Sequence, residues 1–234
     1  MPEITPLNEH TYVRLTAVRL WDHSLLVLLA AAVFSVLCAP AFLLFLSGSF
    51  IPALAVGAVT LAPAWVALLA LEADIAHDVK THIGMMLRAL PRYWTRSVAL
   101  GLLTAFPLLA ALLILPGLAQ PEAPVVVWLG LAADVLGLLI LASLYLYAFP
   151  LLVLHDVDLI TALRNALVLA SRHISNTLGL LGMGVLFAMA TRYLSSGLLF
   201  FLPAIWGMFV VNNCRLVVNQ ELSKVDQQTD VSSE

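Results

Sequence analysis

The sequence predicts an all-α membrane protein, a bundle of about six transmembrane helices with two or three amphipathic helices on the cytoplasmic side. Two observations predict this fold class. Hydrophobic residues make up 62% of the 234 residues and charged residues 11%, whereas soluble domains have about 45–50% and about 25%. The apolar residues are also gathered in runs of about 20, the length that a helix needs to cross a hydrocarbon layer of about 30 Å.

Six apolar segments have the length of a membrane span, with approximate bounds 24–46, 51–73, 97–117, 125–150, 177–194 and 197–217. A short polar interruption at 191–197 divides the last two, and we interpret it as a tight external turn because a single span would be far too long. The region 24–218 then forms one transmembrane domain. The polar, acidic residues 219–234 after it have too few apolar side chains to fold and are expected to be disordered.

Residues 1–23 are expected to form a cytoplasmic segment at the membrane surface rather than a signal peptide. They are polar, and the apolar run that follows them is longer than the apolar region of a signal peptide. Within them, Tyr12, Leu15, Val18 and Trp21 recur at roughly helical spacing. This spacing predicts a short interfacial helix, with Trp21 at the level of the lipid headgroups.

Lysine and arginine residues predict the orientation. The connections near 74–96 and 151–176 carry four and two of them, whereas those near 47–50 and 118–124 carry none. Placing both termini in the cytoplasm leaves ten of the eleven cations inside and only Arg192 outside. Because cationic loops stay in the cytoplasm, we expect a multi-pass protein of the plasma membrane, surrounded by the lipid bilayer, with both termini cytoplasmic.

Both cationic connections also contain a predicted amphipathic helix. Apolar side chains recur at helical spacing, in the first at Ile83, Met86, Leu87 and Leu90 and in the second at Leu159, Leu163, Ala166, Leu167 and Ala170. Such helices lie on the inner leaflet or pack beneath the bundle. With the residues that flank them they form a candidate cytoplasmic face, which contains His77, Asp78, Arg88, Arg92, His155, Asp156, Arg164, Asn165 and Arg172.

Asp134 lies inside the fourth span, about nine residues or roughly 13 Å from its outer edge. A carboxylate at that depth costs about 2.5 kcal/mol or more, so it should face the bundle interior, be protonated or be paired. Arg192 is the one cation within reach, and we hypothesise that the two residues pair. Two interpretations stay open for this candidate intramembrane polar site: a structural pair that sets helix packing, or a proton or substrate site.

A weak internal repeat relates the two cationic connections. The triplet His-Asp-Val at 77–79 recurs at 155–157, and Leu-Gly-Leu-Leu at 100–103 recurs at 178–181, both at the same offset of 78 residues. Each copy would contain a descending span, the triplet, an amphipathic helix and a rising span. Leu-Gly-Leu-Leu is common in such a composition, so chance similarity is the alternative to duplication. Membrane proteins built on repeats often place a site between them.

Acidic and histidine residues cluster where two spans end. They are Glu72, Asp74, His77, Asp78 and His82 after the second span, and His155, Asp156 and Asp158 after the fourth. Such residues could ligate a divalent metal. A polar ring where the helices leave the membrane explains them better, because an HExxH motif is absent and no cysteine is near. We therefore predict no metal site and no cofactor.

Composition and motifs also argue against other classes of function. The net charge of −3 and the lack of a basic patch argue against a nucleic-acid partner. Without a GxSxG motif, a phosphate loop or a Ser-His-Asp arrangement, the sequence predicts no enzymatic activity. The two cysteines, Cys38 and Cys214, lie far apart without a CxxC motif, and we interpret them as small buried apolar residues.

Short motifs in several places resemble one family. Phe-Pro-Leu-Leu-Val occupies 149–153 and is followed by Asn-Ala-Leu at 165–167 and by Arg172-His173, while Ala-Pro-Ala-Trp-Val-Ala-Leu occupies 62–68. A stretch with Tyr93-Trp94 leads into the third span. These motifs resemble the YesL family of bacterial membrane proteins of unknown function. The resemblance implies a small helical membrane protein, often encoded near carbohydrate-uptake genes, and it supplies no catalytic residues.

Two functions are compatible with these observations. The first is a non-enzymatic accessory protein that binds a membrane partner, such as a carbohydrate transporter, through the arginines of the candidate cytoplasmic face. The second is a small transporter or channel with Asp134 and Arg192 in its path. A polar cavity that reaches Asp134 would favour the second function, whereas a dry bundle would favour the first.

Overall fold

Eight α-helices make up the secondary structure of the residues that the computed structural model describes, which are 12–77, 79–118, 124–193 and 200–231. The helices are α1 (Tyr12–Asp22), α2 (Ser24–Leu46), α3 (Phe50–Ala76), α4 (Ile83–Leu118), α5 (Val125–His155), α6 (Leu159–Arg172), α7 (Ile174–Tyr193) and α8 (Leu202–Val231). The predicted all-α fold class is confirmed.

Five of the described helices, α2, α3, α4, α5 and α7, are long and apolar enough to cross a membrane. They correspond to the first five predicted spans and support the prediction of a membrane protein. The sixth predicted span begins at 197, and residues 194–199 lie outside the described residues. The count of six spans therefore stays a prediction.

The first predicted amphipathic helix is not a separate element, which corrects our expectation. Residues 83–96 form the first turns of α4, a continuous helix of 36 residues. In these turns Met86 is buried, but Leu87, which we placed on the same apolar face, is 49% exposed. The separate short helices are α1 and α6. Leu167 on α6, also predicted on the apolar face, is 56% exposed because Ala162, Ala166 and Leu169 are the residues buried there.

α3 lies at the centre of the bundle and packs against α2, α4, α5 and α8. From Ala62 to Ala76 all but three of its residues are buried, and Ala64, Ala67 and Leu68 are fully enclosed. Small side chains let helix backbones approach closely, which is how helices associate in lipid without a hydrophobic driving force. The alanines of α3 therefore allow four helices to pack around one.

A second buried region lies where the last turns of α5 meet α6, α7 and α8. Residues 146–152 of α5 are all buried, so the motif at 149–153 lies mostly in the protein core. The side chains packed with them include Ala166, Leu169, Leu180, Val210, Cys214 and Val217. Cys214 is buried as predicted, Cys38 is half-buried, and both are free thiols.

One end of the bundle, called the polar end below, holds the charged contacts between helices. α3 and α5 end there, and α4 and α7 begin there. Side chains of α8 bond to the ends of α3 and α6: Arg215 donates to the Ala76 carbonyl, and Glu221 accepts from Arg172. Towards the far end, none of residues 102–117, 125–144 and 182–193 is buried. Apolar helix surfaces of this kind are expected where lipid tails replace protein neighbours.

α8 covers only part of the length of the bundle. The indole N–H of Trp206 donates to the Leu180 carbonyl of α7 at 3.3 Å. Thirteen residues of α7 continue beyond Leu180, about 20 Å, whereas only four residues of α8 precede Trp206, about 6 Å. The start of α8 therefore lies well short of the far end. At its other end α8 continues as a helix to Val231, which corrects the expectation of a disordered tail for residues 219–231.

The two copies of Leu-Gly-Leu-Leu provide a matched test of the α3–α4 packing. A Cβ atom on Gly101 would lie 2.6 Å from the Ala58 carbonyl oxygen, whereas a Cβ on Gly179 would meet nothing within 4 Å. Gly101→Ala should therefore destabilise the protein by about 1–3 kcal/mol through overpacking. Gly179→Ala should be neutral or stabilising by up to about 1 kcal/mol, because alanine favours the helix. Thermal unfolding in detergent would measure both, and equal effects would contradict the α3–α4 contact.

Candidate functional site

The first charged cluster at the polar end joins α4 to the corner between α5 and α6. Arg92 and Arg96 donate to the two carboxylate oxygens of Asp156 at 2.8 and 2.9 Å, and Arg96 also donates to the Val157 carbonyl at 3.2 Å. These arginine hydrogen bonds lower the pKa of Asp156 below its ordinary value. The cluster therefore fixes the corner to α4 over a wide pH range.

The corner itself is built from two aspartates. Asp156 ends α5 in the left-handed conformation, with φ of 48°, and is the one non-glycine residue with positive φ in the described part of the chain. Asp158 is the N-cap of α6, and its carboxylate accepts from the Thr161 N–H at 3.2 Å. That bond satisfies a free amide of the first helical turn and lowers the pKa of Asp158. The chain can thus reverse into α6 within three residues.

The second charged cluster, called the Glu221 cluster, ties α8 to the junction of α6 and α7. The carboxylate of Glu221 accepts from Lys224 at 2.8 Å and from Arg172 at 2.5 Å, and it lies 3.1 Å from a ring nitrogen of His173. These three contacts lower the pKa of Glu221 to about 2. Glu221 therefore stays ionised at every physiological pH and keeps its cationic partners.

The candidate cytoplasmic face divides into engaged and available residues. Arg92 and Arg172 are committed to the two clusters. Arg88 and Arg164 are exposed and form no ion pair with any residue in the described ranges, and Asn165 beside Arg164 is also exposed. Large exposed apolar side chains accompany them, namely Leu87, Ile160, Leu167 and Val168. These exposed residues of α4 and α6, called the available surface, are both cationic and apolar.

The histidines at the span ends make few contacts. His77 follows α3, and its Nδ1 lies 2.8 Å from the Ala73 carbonyl, while His155 is the exposed last residue of α5. Asp78 lies outside the described residues. Within the described ranges, no group of three or more histidine, cysteine or acidic residues is placed to hold a metal ion.

The structure does not pair Asp134 with Arg192, which corrects our hypothesis. Asp134 is half-buried in α5, and its Oδ2 is enclosed without a hydrogen-bond partner. Arg192 is exposed in the last turn of α7, and no ion pair links the two among the described residues. The two side chains are therefore not paired in this arrangement, and their role as an intramembrane polar site stays a prediction.

Glu72 is a polar residue that our sequence interpretation misplaced. We assigned it to a solvated ring at the end of the span, but it is 1% exposed, and neither carboxylate oxygen has a hydrogen-bond partner. The spacing in the sequence could have predicted that Glu72 is buried, because it follows Leu68 by four residues and therefore lies on the same face of α3. The presence of α8 against that face could not be inferred from α3 alone.

Comparisons of this chain with protein-family models, with curated proteins and with solved structures find no match.

The Glu221 cluster should add stability that depends on pH. A carboxylate with a lowered pKa stabilises the folded state above the pKa of the unfolded chain, near 4.5, and this contribution is lost as the pH falls towards about 2. Glu221→Gln should therefore lower the midpoint of thermal unfolding at pH 7, and wild type should lose its advantage as the pH falls below about 4.5. Lys224→Gln, which leaves Arg172 and His173 in place, should have a smaller effect. Equal midpoints at pH 7 would contradict this role.

Proposed function

We propose that this chain is a non-enzymatic accessory protein of the plasma membrane, whose polar end faces the cytoplasm and binds an acidic surface of a membrane partner. The resemblance to the YesL family suggests that the partner is a carbohydrate transporter. The observation that carries the proposal is the available surface around Arg88 and Arg164, where exposed arginines stand beside large apolar side chains.

The composition of this surface supports a protein partner. Arg164 lies on the exposed side of α6 between Ile160, which is 77% exposed, and Leu167. Arginine together with large apolar side chains is typical of the contact regions of protein interfaces. The positive-inside bias predicts a cytoplasmic position for the same residues, where they could meet the cytoplasmic loops of a neighbouring membrane protein.

The two ion-pair clusters support the proposal because they hold this surface in place. α6 is fixed at its start by the Asp156 corner and at its end by Arg172 and Glu221. A helix held at both ends keeps its exposed residues in one arrangement, which lowers the entropy cost of binding. The ion pairs of Arg92, Arg96 and Arg172 therefore help to hold Arg164 of α6 in position.

Charge reversal would test the docking surface. In the double variant Arg88→Glu, Arg164→Glu, like charges would oppose the acidic partner at a cost on the order of several kcal/mol. The amount of transporter crosslinked to the chain in native membranes should fall by at least about tenfold. Arg192→Glu at the far end is the matched control and should leave crosslinking unchanged.

Two outcomes of this experiment would count against the proposal. Unchanged crosslinking in the double variant would show that these arginines do not contact the transporter. If the double variant instead loses binding only to vesicles that contain anionic lipid, the arginines serve the inner leaflet, where each is worth about 1 kcal/mol.

A transporter or channel is the second candidate function, and Asp134 is the observation that favours it. Its enclosed, unpaired Oδ2 is the kind of intramembrane group that marks a substrate or ion path. In that case Asp134→Asn should abolish uptake of the solute by proteoliposomes, while Arg192→Gln should not, because Arg192 is exposed and does not pair with Asp134. Equal uptake by the wild type, the Asp134→Asn variant and empty vesicles would eliminate this function.

A further inference from the structure

The carboxyl group of Glu72 is enclosed between α3 and α8. Its side chain is 1% exposed, and both oxygens are buried without a hydrogen-bond partner. A Cβ atom on Gly207 of α8 would lie 2.3 Å from Oε2 and 2.9 Å from Oε1. The carboxyl group therefore occupies the space that any side chain larger than glycine would need at position 207.

The residues of α8 that neighbour Gly207 are packed against α3 and α7. The neighbouring Trp206 packs against Trp65 of α3, with ring centroids 5.4 Å apart and ring planes tilted by 34°, and its ring lies 3.3 Å from the Cβ position of Gly184 on α7. Ala204 and Met208 of α8 are fully buried in the core around α3. Water cannot solvate the carboxyl group while α3 and α8 stay packed in this way.

No side chain in the described part of the chain donates a hydrogen bond to Glu72. The titratable residues with described side chains on the helices packed on α3 are Cys38 on α2, Arg88, Arg92, Tyr93 and Arg96 on α4, Asp134, Tyr145, Tyr147 and His155 on α5, and Cys214, Arg215, Glu221 and Lys224 on α8. Arg215 bonds the Ala76 carbonyl, one turn beyond Glu72. The carboxyl oxygens of Glu72 accept no hydrogen bond from Arg215 or from any other of these residues.

We propose that Glu72 is a proton-binding site, neutral while α3 and α8 are packed and ionised only when they separate. An unpaired carboxylate in an apolar interior is so costly that the group takes up a proton instead. Packing of α8 on α3 therefore binds one proton, and separation of the two helices releases it to water. The α3–α8 interface is thereby coupled to pH, independently of any docking at the polar end.

The pH dependence of stability gives the first test. If Glu72 is neutral in the folded state and ionised in the unfolded chain, folding takes up a proton at every pH above about 4.3, the value for a solvated glutamate. The folded-to-unfolded ratio then falls about tenfold for each pH unit. Glu72→Gln removes this dependence, so its unfolding midpoint in detergent should rise relative to wild type between pH 5 and pH 9.

Glu221→Gln is the matched control, because it makes the same chemical change at a group that is ionised in the folded protein. Its midpoint should stay below that of wild type throughout this range. Parallel curves for Glu72→Gln and wild type, or a Glu72→Gln variant that becomes less stable than wild type as the pH rises, would overturn the proposal.

Infrared spectroscopy of the wild type gives a second test, which does not require the Glu72→Gln variant to fold. At pH 8 solvated carboxyl groups are ionised, so the carbonyl stretch of a protonated carboxylic acid should come from Glu72. The band should persist in the control variant Asp134→Asn, which removes the other partly buried carboxyl group within the spans. Absence of the band in wild type, or its loss in Asp134→Asn, would overturn the proposal.

Discussion

Close packing on α3 is the constraint on which the rest of the structure depends. Lipid tails are as apolar as leucine, so helices in a membrane associate through van der Waals contact and polar bonds rather than through burial from water. The alanines between Ala62 and Ala76 let α2, α4, α5 and α8 reach the α3 backbone. Gly101 brings α4 against Ala58 in the same manner. Away from α3 and the last turns of α5, the helices present mainly exposed apolar surfaces.

The polar groups at the end of the bundle and inside it are arranged differently. At the polar end, charged side chains are exposed and paired, and Asp156 and Glu221 each hold more than one cationic partner. Inside the bundle, Glu72 is enclosed and unpaired, and it lies against a glycine of α8. The first arrangement fixes helix ends with little dependence on physiological pH. The second places one titratable group in the buried core around α3.

Sequence periodicity and hydropathy predict features that depend on one segment at a time. Helix α2 has the predicted bounds, because lipid requires apolar runs of spanning length. Helix α5 begins at the predicted residue and ends five residues later than predicted. The continuity of α4 was not predicted, because the four lysine and arginine residues of 74–96 led us to interpret that segment as a connection before a span beginning at 97. The Asp134–Arg192 pair failed because periodicity does not give the rotation of one helix relative to another. Glu72 was missed for a related reason, since the helix that covers it comes about 130 residues later in the chain.

The left-handed backbone at Asp156 has a consequence for how the protein responds to its ionic surroundings. A non-glycine residue in this conformation costs free energy, and the bonds from Arg92 and Arg96 offset that cost. All three side chains are at least one-third exposed, so dissolved ions screen their attraction, whose range shrinks from about 10 Å at 0.1 M to about 3 Å at 1 M. Concentrated salt weakens the attraction and leaves the backbone strain unchanged. Concentrated salt is therefore expected to loosen the corner between α5 and α6.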